Sequence, residues 1–217
     1  MNPLVPPGVY APQEDTELLA GALFDEPLPP GAEVLDVGTG TGALALEAAR
    51  RGLRVTAVDV SRRAVWAARL NAARAGVSVR IRHGNLFDPV LGESFDLILA
   101  NPPYVPAPDG PGQPRGAARA WDAGHDGRLV VDRICLEAPA LLRPGGVLLM
   151  VQSALSAPDV TVQHLRATGL KAAVTRRRRI AFGPVLRGRE RWLRERGLLP
   201  AAEDNEELVV VRAELPV

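Results

Sequence analysis

Glu33-Val34-Leu35-Asp36-Val37-Gly38-Thr39-Gly40-Thr41-Gly42-Ala43 runs from apolar residues through one acid into three glycines spaced two apart. It then enters an Ala/Leu/Glu-rich stretch. That order predicts a buried strand, a tight turn and a helix, because glycine permits backbone turns that side chains forbid and lets a ligand approach closely. Outward from this turn the pattern repeats. Ala43 to Arg51 reads as a helix, Val55 to Asp59 as a second buried strand, and Arg62 to Ala75 as a helix closed by Gly76. Val79 to Arg82 and Phe95 to Ala100 read as the third and fourth strands. Strands alternating with helices imply right-handed βαβ units and a parallel sheet covered on both faces.

A Pro/Gly-rich loop is expected over Val105 to Gly116. A helix follows over Leu129 to Leu142, ended by Pro144-Gly145-Gly146, and then a fifth strand over Val147 to Val151. Pro158 to Thr168 reads as a helix that starts on proline, with Gly169 at its end. Leu170 to Phe182 and Glu207 to Ala213 read as the last two strands, with an Arg-rich helix over Val185 to Arg196 between them. The expectation is an α/β fold: seven strands, mostly parallel, helices on both faces, and a C-terminal antiparallel hairpin. The 217 residues suit one domain. Residues 1–30 would cover a bound ligand, and residues 183–205 would form a basic insertion between the last two strands.

Composition narrows the function classes. Apolar residues make up 47%, charged residues 24% and the net charge is +1, as in an ordinary soluble chain. The single cysteine, Cys135, permits no intrachain disulfide and no multi-cysteine zinc site, and suits a reducing cytoplasm. Cys135 sits in an apolar helical stretch and reads as a small buried hydrophobe. His83, His125 and His164 form no ligand pattern, so no metal is expected. Met1 to Pro12 carries four prolines and no Lys or Arg, which is not a signal-peptide pattern. The longest apolar runs, such as Val147 to Val151, are too short to span a bilayer, so no membrane partner is expected.

The glycine turn by itself fits a dinucleotide site or a purely structural turn. Three features favour S-adenosylmethionine: the G-x-G-x-G spacing of Gly38, Gly40 and Gly42, Asp36 on the strand before them, and Asp59 ending the next strand. A carboxylate at Asp59 can accept both ribose hydroxyls. Asp36 would face the amino-acid end of the cofactor, meeting its ammonium or a bound water. The cofactor carries no phosphate, so no phosphate cradle is required. After the third strand, Asn85 would hydrogen-bond the adenine ring and Leu86 would pack on it, although Asn85 also reads as a turn residue.

Asn101-Pro102-Pro103-Tyr104 at the end of the fourth strand is the most specific motif. Neither proline donates an N–H, and Pro102 forces Asn101 to be extended. The turn therefore presents acceptors. The Asn101 side-chain oxygen and the Pro102 carbonyl can take both hydrogens of one –NH₂ group, and Tyr104 offers a flat face to the group that bears it. An amide or aryl amine nitrogen is a poor nucleophile because its lone pair is delocalised. Two acceptors polarise it and aim its lone pair, and positioning of this kind supplies ~7–11 kcal/mol of a barrier. The expected activity is methyl transfer to a planar nitrogen, with product S-adenosylhomocysteine.

Val9-Tyr10-Ala11-Pro12-Gln13-Glu14-Asp15-Thr16, the Asp36 to Gly42 loop, Asp59 and Asn101 to Tyr104 together resemble the HemK-like protein methyltransferases of class I, Rossmann-like fold. Trp121, Gly124 and Gly127-Arg128 to Asp132-Arg133 resemble the stretch that follows the motif there. That family methylates the glutamine side-chain amide in the Gly-Gly-Gln loop of translation release factors. The resemblance implies cofactor contacts from Thr16, Asp36, Gly38, Asp59, Asn85 and Leu86, and acceptor contacts from Asn101 and Pro102. From the residues alone, Thr16 is a helix N-cap candidate with Asp15 as a rival. About 30 residues precede the first strand, too few for the helical docking domain of the long bacterial members. The chain is thus more similar to the short branch of archaea and eukaryotes, whose eukaryotic members work with a small zinc-binding activator subunit. Asn85 stands where an acid is more usual.

Lys171 to Gly197 carries ten basic residues against Glu190 and Glu195, a local charge of +8. Arg176 to Arg179 should straddle a strand, with alternate side chains facing opposite ways. Arg176 to Arg196 reads either as contact with RNA or another anionic surface or as a solvated charged face. The acceptor also stays open between a protein glutamine, an adenine N6 amine, and a lysine or small molecule. A non-catalytic cofactor-binding module has no need of the Asn101 motif, and a dinucleotide oxidoreductase would bind NAD(H) instead.

Overall fold

The computed structural model describes residues 3–108 and 121–217; the expected Pro/Gly loop at Val105 to Gly116 thus lies partly outside the described residues. The first five strands are β1 (Glu33–Val37), β2 (Arg54–Asp59), β3 (Val79–His83), β4 (Phe95–Ala100) and β5 (Leu142–Ser153). The last two are β6 (Lys171–Ala181) and β7 (Asn205–Glu214). They form one sheet in the order β3-β2-β1-β4-β5-β7-β6. Neighbours among β1 to β5 pair in parallel. β7 runs antiparallel to both β5 and β6, which gives the C-terminal hairpin.

Leu97, Ile98, Leu99 and Ala100 are all fully buried, as are Leu208 to Val211. Successive strand residues point to opposite faces, so both faces of the sheet are covered. The helices are α1 (Glu14–Asp25), α2 (Ala43–Arg50), α3 (Arg62–Ala75), α4 (Val131–Glu137), α5 (Pro158–Ala167) and α6 (Pro184–Glu195). Helices α1, α2 and α3 pack in series, and α4 packs on α5. Ser61 caps α3 by accepting from the Ala64 N–H, and Gly76 closes it at φ 66°. Among the described residues, no helix is long and apolar enough to cross a membrane.

Two boundaries differ from expectation. The helix expected over Leu129 to Leu142 is split: α4 ends at Glu137, and a 3₁₀ turn over Ala138–Leu141 carries Pro139, which has no N–H to continue an α-helix. β5 begins at Leu142, ahead of Pro144-Gly145-Gly146, which kink the strand rather than precede it. Gly145 lies at φ 77°, and a Cβ on Gly146 would sit 2.8 Å from the Arg143 carbonyl. The pairing with β4 shifts register at that kink.

The N-terminal residues contain a helix that the sequence reading did not place. Leu18, Leu19, Ala22 and Leu23 of α1 are buried at helical spacing, and the helix packs on β5, β6 and β7. Its first turn holds Glu14, Asp15 and Glu17, which suits the positive end of the helix dipole. The residue preceding this helix is Gln13, not Thr16 or Asp15; both of those lie inside the first turn.

Candidate functional site

The carboxyl ends of β1, β2 and β4 open onto one cleft of about 1350 Å³. Gly38, Thr39, Gly40, Thr41, Asp59, Asn85, Leu86 and Asn101 to Tyr104 all line it. Residues 7–13 close one side, and Gly183 to Leu186 at the start of α6 close another.

The glycine turn needs its glycines. Gly38, Gly40 and Gly42 have φ of 73°, 57° and 85°, values L side chains rarely adopt. Gly42 does not line the cleft: a Cβ there would stand 3.2 Å from the Ala68 Cβ of α3, so its role is close helix packing. Asp36 is likewise misplaced by the sequence reading. It is buried at 1% exposure and does not line the cleft. Its Oδ2 accepts from the Thr39 hydroxyl at 2.5 Å and the Ala45 N–H at 3.1 Å, so it holds the turn from beneath. Burial pushes its carboxyl up to about 6, against those two hydrogen bonds.

Asp59 does face the cleft. Its Oδ2 accepts from Gly40 N–H and its Oδ1 from Ser61 N–H, both at 2.8 Å. Each carboxylate oxygen carries more than one acceptor direction, so two stay available for a pair of neighbouring hydroxyls. Burial raises the Asp59 pKa, and the two N–H donors oppose that rise. Among the described residues, Leu86 is one of two non-glycine residues at positive φ, 46°, and lies at the cleft next to exposed Asn85. Gly84 cannot carry a side chain, since its Cβ would lie 2.2 Å from Pro89 Cγ. Val60 is 45% exposed and lines the same wall, an apolar surface that the sequence reading did not single out.

A diol acceptor at Asp59, an apolar slot at Val60 and Leu86, and glycine backbone along the β1 edge suit a nucleoside bearing an amino-acid tail. A diphosphate is less well matched, because two carboxylates flank the turn.

On the other side of the turn stands Asn101. Its Nδ2 donates to the Thr16 hydroxyl at 3.4 Å, which leaves its side-chain oxygen available. Its backbone carbonyl approaches within 3.9 Å of where a Gly38 Cβ would be, so the motif and the glycine turn abut. The motif is braced from below by Gly127, whose Cβ would meet the Tyr104 carbonyl at 2.4 Å. Arg128, 6% exposed, ties the following stretch to α5 by donating to the Ser156 and Ala157 carbonyls and the Thr161 hydroxyl.

Asp15 links the two sides. The chain has two tyrosines, and both donate to its Oδ2: Tyr10 at 2.8 Å and Tyr104 at 3.0 Å. Its Oδ1 accepts from the Thr16 N–H at 2.6 Å and the Thr16 hydroxyl at 3.2 Å. Burial, followed by the Asp15 charge, pushes both phenols upward, so they remain donors at any ordinary pH. The sequence places Asp15 in the Val9 to Thr16 stretch that carries the family resemblance and offers it as a cap candidate, but gives it no role in the site. Asn71 of α3 fastens the N-terminal residues by bonding Leu4 N–H, Leu4 carbonyl and Thr41 carbonyl.

Cys135 is buried, and burial pushes its thiol up to about 12, which leaves it inert.

The basic stretch divides as expected along β6. Arg176 and Arg178 turn to α1, pairing with Asp25 and with Glu14 and Glu17, while Arg177 pairs with Glu207. Arg189 of α6 is paired with Asp122 and donates to the Pro106 carbonyl at 3.0 Å. Arg191 and Arg194 pair with Glu195 and Glu190 within α6. Six of the ten cations are therefore engaged internally.

Residues 5–109 match the methyltransferase small domain family. A Methanocaldococcus jannaschii protein provisionally named a protein N5-glutamine methyltransferase is 35% identical over 181 residues, covering 83% of this chain and 90% of that protein. A release factor glutamine methyltransferase of Deinococcus radiodurans is 42% identical over 169 residues, and the chain spans 57% of its length. Among solved structures, the E. cuniculi Mtq2–Trm112 complex, responsible for methylation of the eRF1 translation termination factor, superposes with a TM-score of 0.66 at 25% identity. The overlap covers 95% of this chain and 98% of that one.

Proposed function

Since the chain belongs to the methyltransferase small domain family, within its HemK-like branch, we propose that it methylates the side-chain amide of a protein glutamine, in a release-factor-like substrate, with S-adenosylmethionine as donor. The observation that carries this reading is the placement of Asn101 and Pro102 in one cleft with Gly38, Gly40 and Asp59. In that cleft Asp59 would accept the ribose hydroxyls, Val60, Leu86 and Asn85 would hold the adenine, and Gly38 to Gly40 with Thr16 would border the amino-acid end. Bound there, S-adenosylmethionine supplies an electrophilic sulfonium methyl and leaves as S-adenosylhomocysteine.

The chain's own residues perform the rest. The Asn101 amide nitrogen donates one hydrogen to the Thr16 hydroxyl at 3.4 Å, which turns the side-chain oxygen to the other side. That oxygen and the Pro102 carbonyl accept the two hydrogens of the –NH₂ group. The nitrogen lone pair is then fixed in direction, and positive charge that grows on nitrogen meets dipoles already in place, with no reorganisation to oppose it. The nitrogen gains the methyl as the sulfur–methyl bond breaks, and the N-methylated amide loses one proton to solvent. Tyr104, held by Asp15, backs the flat amide, and residues 7–13 form the wall beside it.

We place the enzyme in the cytoplasm, in keeping with its single buried cysteine. A partner subunit, by analogy with the E. cuniculi complex, belongs to the same reading. Any anionic surface, RNA included, would meet Lys171, Arg179, Arg187 and Arg196, for which no ion pair is formed among the described residues. The experiment is labelling with methyl-labelled cofactor in separate incubations: a release-factor fragment containing Gly-Gly-Gln, total RNA, duplex DNA, and a lysine-containing peptide. Label in the release-factor glutamine is expected. Label in RNA or DNA alone would replace glutamine with a base amine.

A further inference from the structure

Among the described residues, five acidic residues are buried: Asp15, Glu26, Asp36, Asp122 and Glu206. Four are saturated. Asp15 receives two phenols and Thr16, Asp36 receives Thr39 and Ala45, Glu26 is paired with Arg212, and Asp122 with Arg189. Glu206 is the exception. It is 7% exposed, and its Oε1 has no hydrogen-bond partner among the described residues. Thr56 and Gln152 also hold a buried polar atom without a partner, but neither lines the cleft, whereas Glu206 does.

Topology explains how it gets there. β7 is antiparallel to β5, so its first residues lie at the same sheet edge as the last residues of the parallel strands. Glu206 pairs with Ile180 and Leu208 with Ser153, which places Glu206 just past the end of β5. This is the acceptor side of the cleft, two strands beyond β4, together with Tyr104, Pro184, Val185 and Leu186. A carboxylate there with an unsatisfied oxygen is costly unless a donor arrives.

Resting on the reading of this cleft as the seat of an –NH₂ acceptor, we propose that Glu206 is a positioning residue for the acceptor. Its carboxylate receives an N–H of the substrate other than the two held by Asn101 and Pro102, and so sets where the reactive nitrogen lies. The acceptor chemistry implied is a chain with a second N–H donor near the methylated group, as a peptide backbone provides.

The groups around it agree. Burial pushes the Glu206 carboxyl up to about 7, the Asp15 charge from α1 acts in the same direction, and the Ser153 hydroxyl of β5 opposes both. Tyr10 and Tyr104 face it as neutral phenols. Arg178, on the neighbouring strand, is committed to Glu14 and Glu17. No cation is thus left to satisfy Glu206 among the described residues that surround it, and an acceptor N–H would bind best to its ionised form.

The test is steady-state methylation by wild type, Glu206→Gln and Glu206→Ala from about pH 5.5 to about pH 8.5. The acceptors are the Gly-Gly-Gln fragment and any other acceptor that wild type labels. Cofactor Kd by calorimetry and thermal melting are the controls. Glu206→Ala should raise acceptor KM about tenfold or more, with kcat within about threefold and cofactor Kd unchanged. Wild-type kcat/KM should rise with pH through about 7, and Glu206→Gln should lose that limb. Glu206→Gln keeps the shape of the protonated acid, so it reports even if the alanine variant folds poorly. Unchanged KM and an unchanged pH limb in both variants would overturn the proposal. So would cofactor Kd and KM moving together, which marks a merely structural role. If wild type labels lysine or a base rather than glutamine, the glutamine reading fails while the same comparison still judges Glu206. If wild type labels none of them, both fall.

Discussion

The two halves of the cleft are built in opposite ways. On the cofactor side, both carboxylates are held by the turns next to them: Asp36 by Thr39 and Ala45, Asp59 by Gly40 and Ser61. On the acceptor side, the contacts come from far along the chain. Tyr104 reaches Asp15 across 89 residues, Asn101 reaches Thr16 across 85, and Glu206 enters from the last strand. The cofactor half is therefore held in shape by its own turns before anything binds. The acceptor half holds its polar atoms in reserve: the Asn101 oxygen and Glu206 Oε1. A site that binds one constant donor and one large variable acceptor profits from that division, since preorganisation is needed where charge develops and fit is needed where the substrate is recognised.

The largest expected effect breaks the acceptor half alone. Asn101→Ala should lower kcat by about 10²–10³, the cost of one preorganised dipole, and leave cofactor Kd within about threefold. Methyl-transfer rates at saturating acceptor and cofactor, together with calorimetry, check it. A variant with wild-type turnover would remove Asn101 from the chemistry and with it the contrast between the halves.

Next comes the mirror experiment. Asp59→Ala should weaken cofactor binding about 10–100-fold, because two hydrogen bonds to a charged acceptor are lost, while kcat at saturating cofactor changes little. If Asp59→Ala instead lowers kcat with cofactor Kd intact, the halves are not separable.

The same division decides what the sequence made legible. Asp59 ends β2 and Asn101 directly follows β4, so strand-helix alternation alone places both at the carboxyl edge of the sheet. The αβ sheet was readable from strand-helix alternation, and so was the alternation of Arg176 to Arg179 across β6. Asp36 was placed in the right turn but on the wrong side of it: strand periodicity shows that a residue alternates, not which face the ligand occupies. Helix α1 carried a readable signal in Leu18, Leu19, Ala22 and Leu23, which the proline-rich residues before it obscured. The link from Asp15 to Tyr104 and the cleft position of Glu206 had none. An acid that bonds a tyrosine 89 residues away leaves no local pattern, and Glu206 is the second residue of an otherwise ordinary strand. The basic stretch misled by its count, since ion pairs with Asp25, Glu14, Glu17, Asp122 and Glu207 are invisible until the fold brings them together.

The smallest effect is a difference in stability, and it sharpens the comparison most finely. Glu206 has its carboxyl raised from 4.5 to about 7 by burial. A carboxyl raised on folding binds more protons folded than unfolded, so its favourable contribution is present below about pH 4.5 and is lost as pH climbs through about 7. In the protein without ligands, ionised Glu206 should cost about 1–2 kcal/mol at pH 8, less than the full shift implies because the site relaxes. Glu206→Gln should therefore melt about 3–6 °C above wild type near pH 8 and level with it near pH 5. Paired surface carboxylates elsewhere change stability with pH in the opposite direction, but they are common to both proteins and cancel in the difference. Saturating acceptor should shrink the gap at pH 8, because the substrate N–H then satisfies the ionised carboxyl that the variant lacks. Saturating cofactor alone should leave it. A gap that responds to cofactor and not to acceptor would place Glu206 in the other half of the cleft.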